Sequence, residues 1–186
     1  MCIRDRGQGV LENTTEQLDL AIEGRGYFEV QLQNGERRYT RNGTFRQDFN
    51  GRIVTAEGHL LTDAVTIPPD SQGVSITNDG QVFSRGEENV LTNIGTIRLH
   101  TFANEGGLRA AGNNYYQPTA ASGQPSATQP GVQGAGGVRQ FTLERSNVET
   151  VDELVSLIVA QRNYEVNSRA IRVSDEMLQQ INQLVR

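Results

Sequence analysis

The side chains in this sequence that could do acid–base or nucleophilic chemistry are His59, His100, Asp48, Asp63, Asp79 and the Asp and Glu residues of the last forty positions. Zinc-dependent hydrolysis needs two imidazoles on one helix face, as in HExxH, and neither histidine lies in such a pattern. Nucleophilic catalysis needs Ser, His and an acid in a recognisable arrangement, and none is present. His100 falls in the alternating run Ile97–Thr101, where a histidine satisfied at a surface or in a cleft is expected. Gly24-Arg25-Gly26 has no helix after it to cradle a phosphate. The Asp-Gly and Asn-Gly pairs lack the twelve-residue ligand spacing of a calcium loop. The single cysteine, Cys2, excludes an internal disulfide and a cysteine-based metal cluster. The expectation is a protein without catalytic residues, metal or cofactor.

Composition narrows the partners. A chain of 186 residues, 35% hydrophobic and 21% charged, can build one or two domains with modest cores. The net charge is −5, with Lys and Arg scattered, so a nucleic-acid partner is not expected. No apolar run approaches the roughly 18–20 residues that span a bilayer, so membrane insertion is not expected either. The opening Met-Cys-Ile-Arg-Asp-Arg is polar, with no apolar region of a signal peptide after it. It looks like translated adapter sequence, so residues 1–6 are expected to be non-native and the true N-terminus to be missing.

The elements follow from periodicity and turns. Residues 7–17 read as the remnant of a connecting segment, and 18–105 as a β-rich domain. Asn34-Gly35, Asn42-Gly43, Asn50-Gly51 and Asp79-Gly80 are hairpin signals, because these residues tolerate φ > 0. Phe28, Val30 and Leu32 alternate with Glu29 and Gln31, which predicts one apolar and one polar strand face. Meander or Greek-key connections are expected, and Pro68-Pro69 ends one strand region. Residues 106–146 are rich in Gly, Pro and Ser. They read as an extended arm returning to the core, of which residues 106–137 are either a flexible linker or an ordered arm held against a neighbour through Tyr115 and Tyr116.

The segment 147–186 predicts a long helix. Thr150 and Glu153 form a capping-box pattern, and no Gly or Pro follows. Val151, Leu154, Val155 and Ile158 make one apolar stripe; Val166, Ala170, Val173, Met177, Leu178, Ile181 and Leu184 make a second. The step from Ile158 to Val166 breaks the heptad phase between them. At roughly 1.5–3 kcal/mol per buried aliphatic side chain, leaving such a stripe wet would forfeit on the order of 15 kcal/mol. It must therefore be covered by another chain, by a helix preceding this sequence, or by folding back on the β-domain.

Specific motifs now add to this reading. Ser146-Asn147-Val148-Glu149, Ala160-Gln161-Arg162-Asn163-Tyr164-Glu165-Val166-Asn167-Ser168 and Asp175-Glu176-Met177-Leu178 resemble the C-terminal signature of the flagellar rod and hook axial proteins. Leu18-Asp19-Leu20-Ala21-Ile22-Glu23-Gly24-Arg25-Gly26-Tyr27-Phe28 is similar to the motif opening that family's β-domain, and Tyr39-Thr40-Arg41-Asn42-Gly43-Thr44-Phe45 to its next element. Gly51-Arg52-Ile53-Val54-Thr55 matches a third. Two departures stand out. The motif of the family's N-terminal helix does not occur in this sequence and is expected in the missing N-terminus, and Phe141 stands where the family usually has a glycine, so the chain path before the helix is expected to differ.

The resemblance implies a mainly β body with a C-terminal helix making coiled-coil-like contacts. It implies a structural subunit of the flagellar rod, nearest the distal-rod members through Thr119–Pro125 and Pro130-Gly131, that assembles helically into the periplasm-spanning drive shaft and transmits torque to the hook. Implied partners are copies of itself, other rod and hook proteins, the L/P ring bushing and the type III export apparatus. A proximal-rod or hook subunit remains the alternative within the family. Outside it, an adhesin β-domain on a helical stalk would need exposed strand aromatics, and the chain has no Trp and only 6% aromatics.

Overall fold

The computed structural model describes residues 7–63, 65–86, 89–147 and 150–184, with the side chains of 150–153 and 178–184 outside the description. Residues 1–6, read above as non-native, lie outside it. The chain divides into two compact units, one ending at Arg145 and one beginning at Ser146, each described here by itself.

The first unit is antiparallel β throughout its described pairings. Its strands are β1 (Leu11–Asn13), β2 (Leu20–Glu23), β3 (Phe28–Gln31), β4 (Arg37–Thr40), β5 (Phe45–Gln47), β6 (Ile53–Thr55), β7 (Leu60–Leu61) and β8 (Gly73–Ile76). They continue with β9 (Gln81–Arg85), β10 (Leu91–Thr96), β11 (Leu99–Thr101), β12 (Arg109–Gly112), β13 (Tyr115–Gln117), β14 (Ser126–Thr128), β15 (Gly137–Gln140) and β16 (Thr142–Glu144). The largest sheet runs β12-β13-β4-β3-β7-β6-β5; β10-β9-β8 form a second, and β1-β16, β11-β14 and β15-β2 pair separately.

Three of the four dipeptide turns close hairpins. Gly35, Gly51 and Gly80 take φ of 83°, 79° and 78° between β3 and β4, β5 and β6, and β8 and β9. Asn42-Gly43 does not, because β3, β7 and β6 separate β4 from β5 in the sheet. The Asn42 side chain instead accepts the Thr44 N–H at 3.2 Å, and Gly43 leaves room for another strand. Leu20 donates its N–H to the Gly43 carbonyl at 3.0 Å, and a Cβ at Gly43 would stand 1.6 Å from the Leu20 carbonyl oxygen. This glycine serves a close backbone approach.

Phe28 and Val30 enter the main core with Leu20, Ile22, Phe45, Ile53, Val82, Ile97 and Leu99. The opposite face of β3, expected to be polar, is also covered: Glu29 is buried beside a second cluster of Tyr27, Tyr39, Phe102 and Leu108. Part of that cover, Leu108 and Tyr116, comes from the segment left open above as linker or arm, and Phe102 supplies another part. β13 pairs with β4, β14 with β11 and β15 with β2. The segment is therefore ordered within the unit rather than a free linker. Its turn-rich composition hid this because, apart from the local β12–β13 pairing, the partner strands are distant in sequence. Tyr115 is buried, its hydroxyl 2.7 Å from the Glu57 carboxylate and 3.1 Å from Thr55 Oγ1. Tyr116 packs edge-on against Tyr27 at 5.6 Å.

Between β15 and β16, Phe141 has φ 58°, the left-handed region that a bulky residue enters only at a cost. Its carbonyl accepts the Thr14 N–H at 2.7 Å, so β1 holds the bend. The path is the one a glycine would take with less strain.

The second unit contains α1 (Thr150–Leu184), 35 residues without Gly or Pro. At 1.5 Å per residue it is about 52 Å long. Among the described residues, no helix is long and apolar enough to cross a membrane.

Candidate assembly interface

The apolar residues of α1 are exposed along its described length. Leu154, Val155, Ile158, Val166, Val173 and Met177 each leave between 42% and 64% of their surface open to solvent, and Ala170 is exposed as well. The side chains of Val151, Leu178, Ile181 and Leu184, and of the capping pair Thr150 and Glu153, lie outside the described residues.

Continuous helix geometry regroups the stripe. Val159, absent from the sequence reading, is exposed and stands seven residues before Val166. At about 100° per residue, Val155, Val159, Val166, Ala170, Val173 and Met177 fall within an arc of roughly 60°. Val159 thus joins Val155 to Val166 in phase, while Leu154 and Ile158 of the first stripe stand about 60–100° outside that arc. A second line, Leu157, Tyr164 and Ile171 at intervals of seven, lies nearly opposite at about 155°. These residues are exposed too. Periodicity missed this line because Leu157-Ile158-Val159 is apolar all round and fits either phase. α1 thus carries apolar surface on two sides, and water alone is a poor neighbour for both.

Below the helix in sequence, the β unit fastens its last strand with one cation. Arg41 Nε donates to Glu144 Oε2 on β16 at 2.9 Å, Nη1 to the Gly26 carbonyl at 3.1 Å, and Nη2 to the Gly24 carbonyl at 3.0 Å. Glu144 Oε1 accepts the Gly9 N–H at 2.9 Å. This pair is mostly buried, with 17% and 10% side-chain exposure, so the guanidinium fork is worth more than a surface ion pair. It explains the Tyr39-Thr40-Arg41 motif. Thr40 caps the Asn114 carbonyl at 3.0 Å, and Tyr39 donates to the Glu29 carboxylate at 2.7 Å.

Glu29, Tyr39 and His100 form the buried polar group of the unit. His100 Nε2 lies 3.4 Å from Glu29 Oε2 and Arg37 Nη1 3.4 Å from Oε1, while His100 Nδ1 finds no hydrogen-bond partner. Burial holds the His100 pKa below its ordinary 6.5; Glu29 and Asp63 oppose that, and Arg98 and Arg37 add to it. Burial, the bond to Glu29 and the Glu29 charge together hold the Tyr39 hydroxyl above its ordinary value. A group this enclosed, linking β3, β4 and β11, stiffens the sheet. It has no access to a substrate. Among the described residues, no cluster of His, Cys, Asp and Glu could hold a metal.

Two family descriptions match the chain: the flagellar hook protein FlgE/F/G D1 domain over residues 21–84, and the flagellar basal body rod FlgEFG protein C-terminal region over 139–184. The flagellar basal-body rod protein FlgG of Caulobacter vibrioides is 44% identical over 95% of this chain and 68% of its own length. That of Bacillus subtilis is 42% identical over 94% and 68%. FlgF of Caulobacter vibrioides is 37% identical over 87% and 63%.

The chain belongs to the FlgG family of flagellar basal-body rod proteins.

Within one organism the likeness to FlgG exceeds that to FlgF in both identity and coverage, which separates the two branches. A FlgG-family chain is a structural subunit of the flagellar basal-body rod, and its place is the basal body. Membership also implies assembly with copies of itself and with other rod and hook components. The family motifs coincide with the fastening described above: Arg41 sits in the first matched region and Glu144 in the second.

Proposed function

We propose that this chain builds the distal rod, polymerising helically into the shaft that carries torque across the periplasm to the hook. The carrying observation is α1 itself: an unbroken helix with an in-phase line of exposed apolar side chains from Val155 to Met177. Identical subunits that bury such a line head to tail generate a helical tube. The interface comprises Val151, Leu154, Val155, Ile158, Val166, Ala170, Val173, Met177, Leu178, Ile181 and Leu184, in coiled-coil-like contacts with neighbouring helices. Val159 and the opposite line Leu157–Ile171 extend it. The body, stiffened by Arg41 and the Glu29 group, resists shear while the helices resist bending.

The role is mechanical rather than enzymatic, in keeping with relatives that are structural rod proteins. No nucleic acid or membrane insertion is involved. Further partners in this reading are neighbouring rod and hook proteins, the L/P ring bushing and the type III export apparatus, which passes the subunit unfolded. Val155→Asp combined with Met177→Asp should abolish rod incorporation and motility while the body keeps its melting temperature. A motile double variant would refute the assignment. A proximal-rod or hook subunit is separated by electron microscopy: curved tubes from the assembled protein would exclude the rod reading.

A further inference from the structure

One edge of the three-stranded sheet β10-β9-β8 is closed by side chains rather than by a strand. Thr77 donates its N–H to the Gln81 carbonyl at 3.0 Å, so by the alternation of an antiparallel pair Val74 and Ile76 turn their backbone groups away from β9. Carboxamides meet them there. Val74 donates its N–H to Gln17 Oε1 at 3.1 Å, and Ile76 donates to Gln140 Oε1 at 2.9 Å. Gln140 Nε2 donates to the Val74 carbonyl at 2.9 Å and to the Gln17 carbonyl at 2.6 Å. By accepting from Ile76 and donating to Val74, this one amide makes the bonds that a residue of an added strand would make. It can sit only this way round, because the reverse would set an oxygen against the Val74 and Gln17 carbonyls. Gln8 repeats the arrangement beside β2: its Nε2 donates to the Ile22 carbonyl at 2.9 Å and its Oε1 accepts the Gly24 N–H at 3.0 Å.

The other end of the sheet is open. Among the described residues, no strand lies beyond β10. Gly86 donates its N–H to the Val90 carbonyl at 3.1 Å, so the next residue, Leu91, directs its backbone groups outward, and its side chain is exposed as well. A sheet with both ends open would add β10 of one copy to β8 of the next without limit, because that pairing is head to tail. Closing the β8 end stops such growth even while β10 stays free.

We propose that Gln17 and Gln140 form an autoinhibitory seal: their carboxamides occupy the outer edge of β8 and keep out β10 of a second copy. Copies therefore do not join through this sheet. The seal lies within the β unit and does not rest on the rod-subunit reading, which places assembly on α1.

The test uses the full chain carrying Val155→Asp and Met177→Asp, to remove association through α1, and sedimentation over a range of concentrations. Gln17→Ala with Gln140→Ala should raise the mean mass to several times that of the parent, increasing with concentration and without a stopping size. Adding Leu91→Pro removes an outward N–H of β10 while leaving its ladder with β9 intact, and should return the mass to the parent value. With both glutamines present, Leu91→Pro should leave the mass unchanged. Association through unfolding would not be reversed by a proline on β10, so this rescue separates an opened edge from a damaged fold. An unsealed chain with the mass of its parent, oligomers that persist with Leu91→Pro, or a sealed chain whose mass falls with Leu91→Pro would each overturn the proposal. Rod incorporation of the Val155→Asp with Met177→Asp chain is scored separately, so the rod reading can fail while the seal stands, and the reverse.

Discussion

The β unit and the helix handle apolar surface in opposite ways. In the unit ending at Arg145, Leu20, Ile22, Phe28, Val30, Val82, Ile97 and Leu99 are fully buried by strands of the same chain. Along α1, Leu154, Val155, Leu157, Ile158, Val166, Ile171 and Met177 are all exposed. The backbone hydrogen bonds follow the same division. Strands find partners far along the chain, as β1 does in β16, while a helix satisfies its own backbone turn by turn. A helix can therefore keep its hydrogen bonds without company, but its apolar side chains still need cover. The β unit buries its main apolar cluster within itself, and the exposed line on α1 is the surface proposed above for neighbouring copies.

Variants can break or sharpen that contrast. Phe28→Ala removes a wholly buried ring that packs edge-on against Phe45 at 5.2 Å. It should destabilise the body by about 3–5 kcal/mol in chemical denaturation. Val155→Asp should leave the same transition where it was, and an equal shift from both would erase the contrast. Tyr39→Phe withdraws the hydroxyl from the buried Glu29 carboxylate and should cost about 1–2 kcal/mol.

Phe141→Gly acts in the other direction. It relieves the left-handed conformation and should raise body stability by about 1 kcal/mol, less the entropy that glycine adds to the unfolded chain. No gain in midpoint would mean that the ring compensates for its strain through contacts.

The smallest effect concerns pH. The folded His100 pKa lies below 6.5, so as pH falls from that value the unfolded chain binds a proton before the folded one does. Body stability should decline as pH falls from about 6.5 towards the depressed folded value, and His100→Asn should flatten that slope. An unaltered slope in the variant would assign the decline to other groups.

Much of the architecture was legible in local residues, and the gaps have local causes. Asn34-Gly35, Asn50-Gly51 and Asp79-Gly80 close hairpins because the dipeptide suits a positive φ. Asn42-Gly43 carries the same signal but turns between strands that are not neighbours, since a dipeptide encodes torsion and not pairing. Glu29 read as part of a polar strand face, and its burial did not, because alternation reports only which way a side chain points. The cover over that face comes from Phe102, Leu108 and Tyr116, which no nearby pattern reveals. The order of the 106–146 segment was hidden for the same reason.

On the helix, the stripe from Val166 to Met177 was readable from spacing. Val159 was not, because the run around it suits more than one phase. The family motifs were legible as strings, but the Arg41 contacts to the Gly24 and Gly26 carbonyls, which tie two of them together, needed coordinates.

The account is tested most directly by thiol labelling at Val166→Cys and Met177→Cys, in a chain whose Cys2 is replaced by Ser. Soluble subunits should react freely at both positions, as their exposure requires, and subunits assembled into rods should be strongly protected. Equal labelling in the two states would contradict the claim that neighbouring helices cover this line.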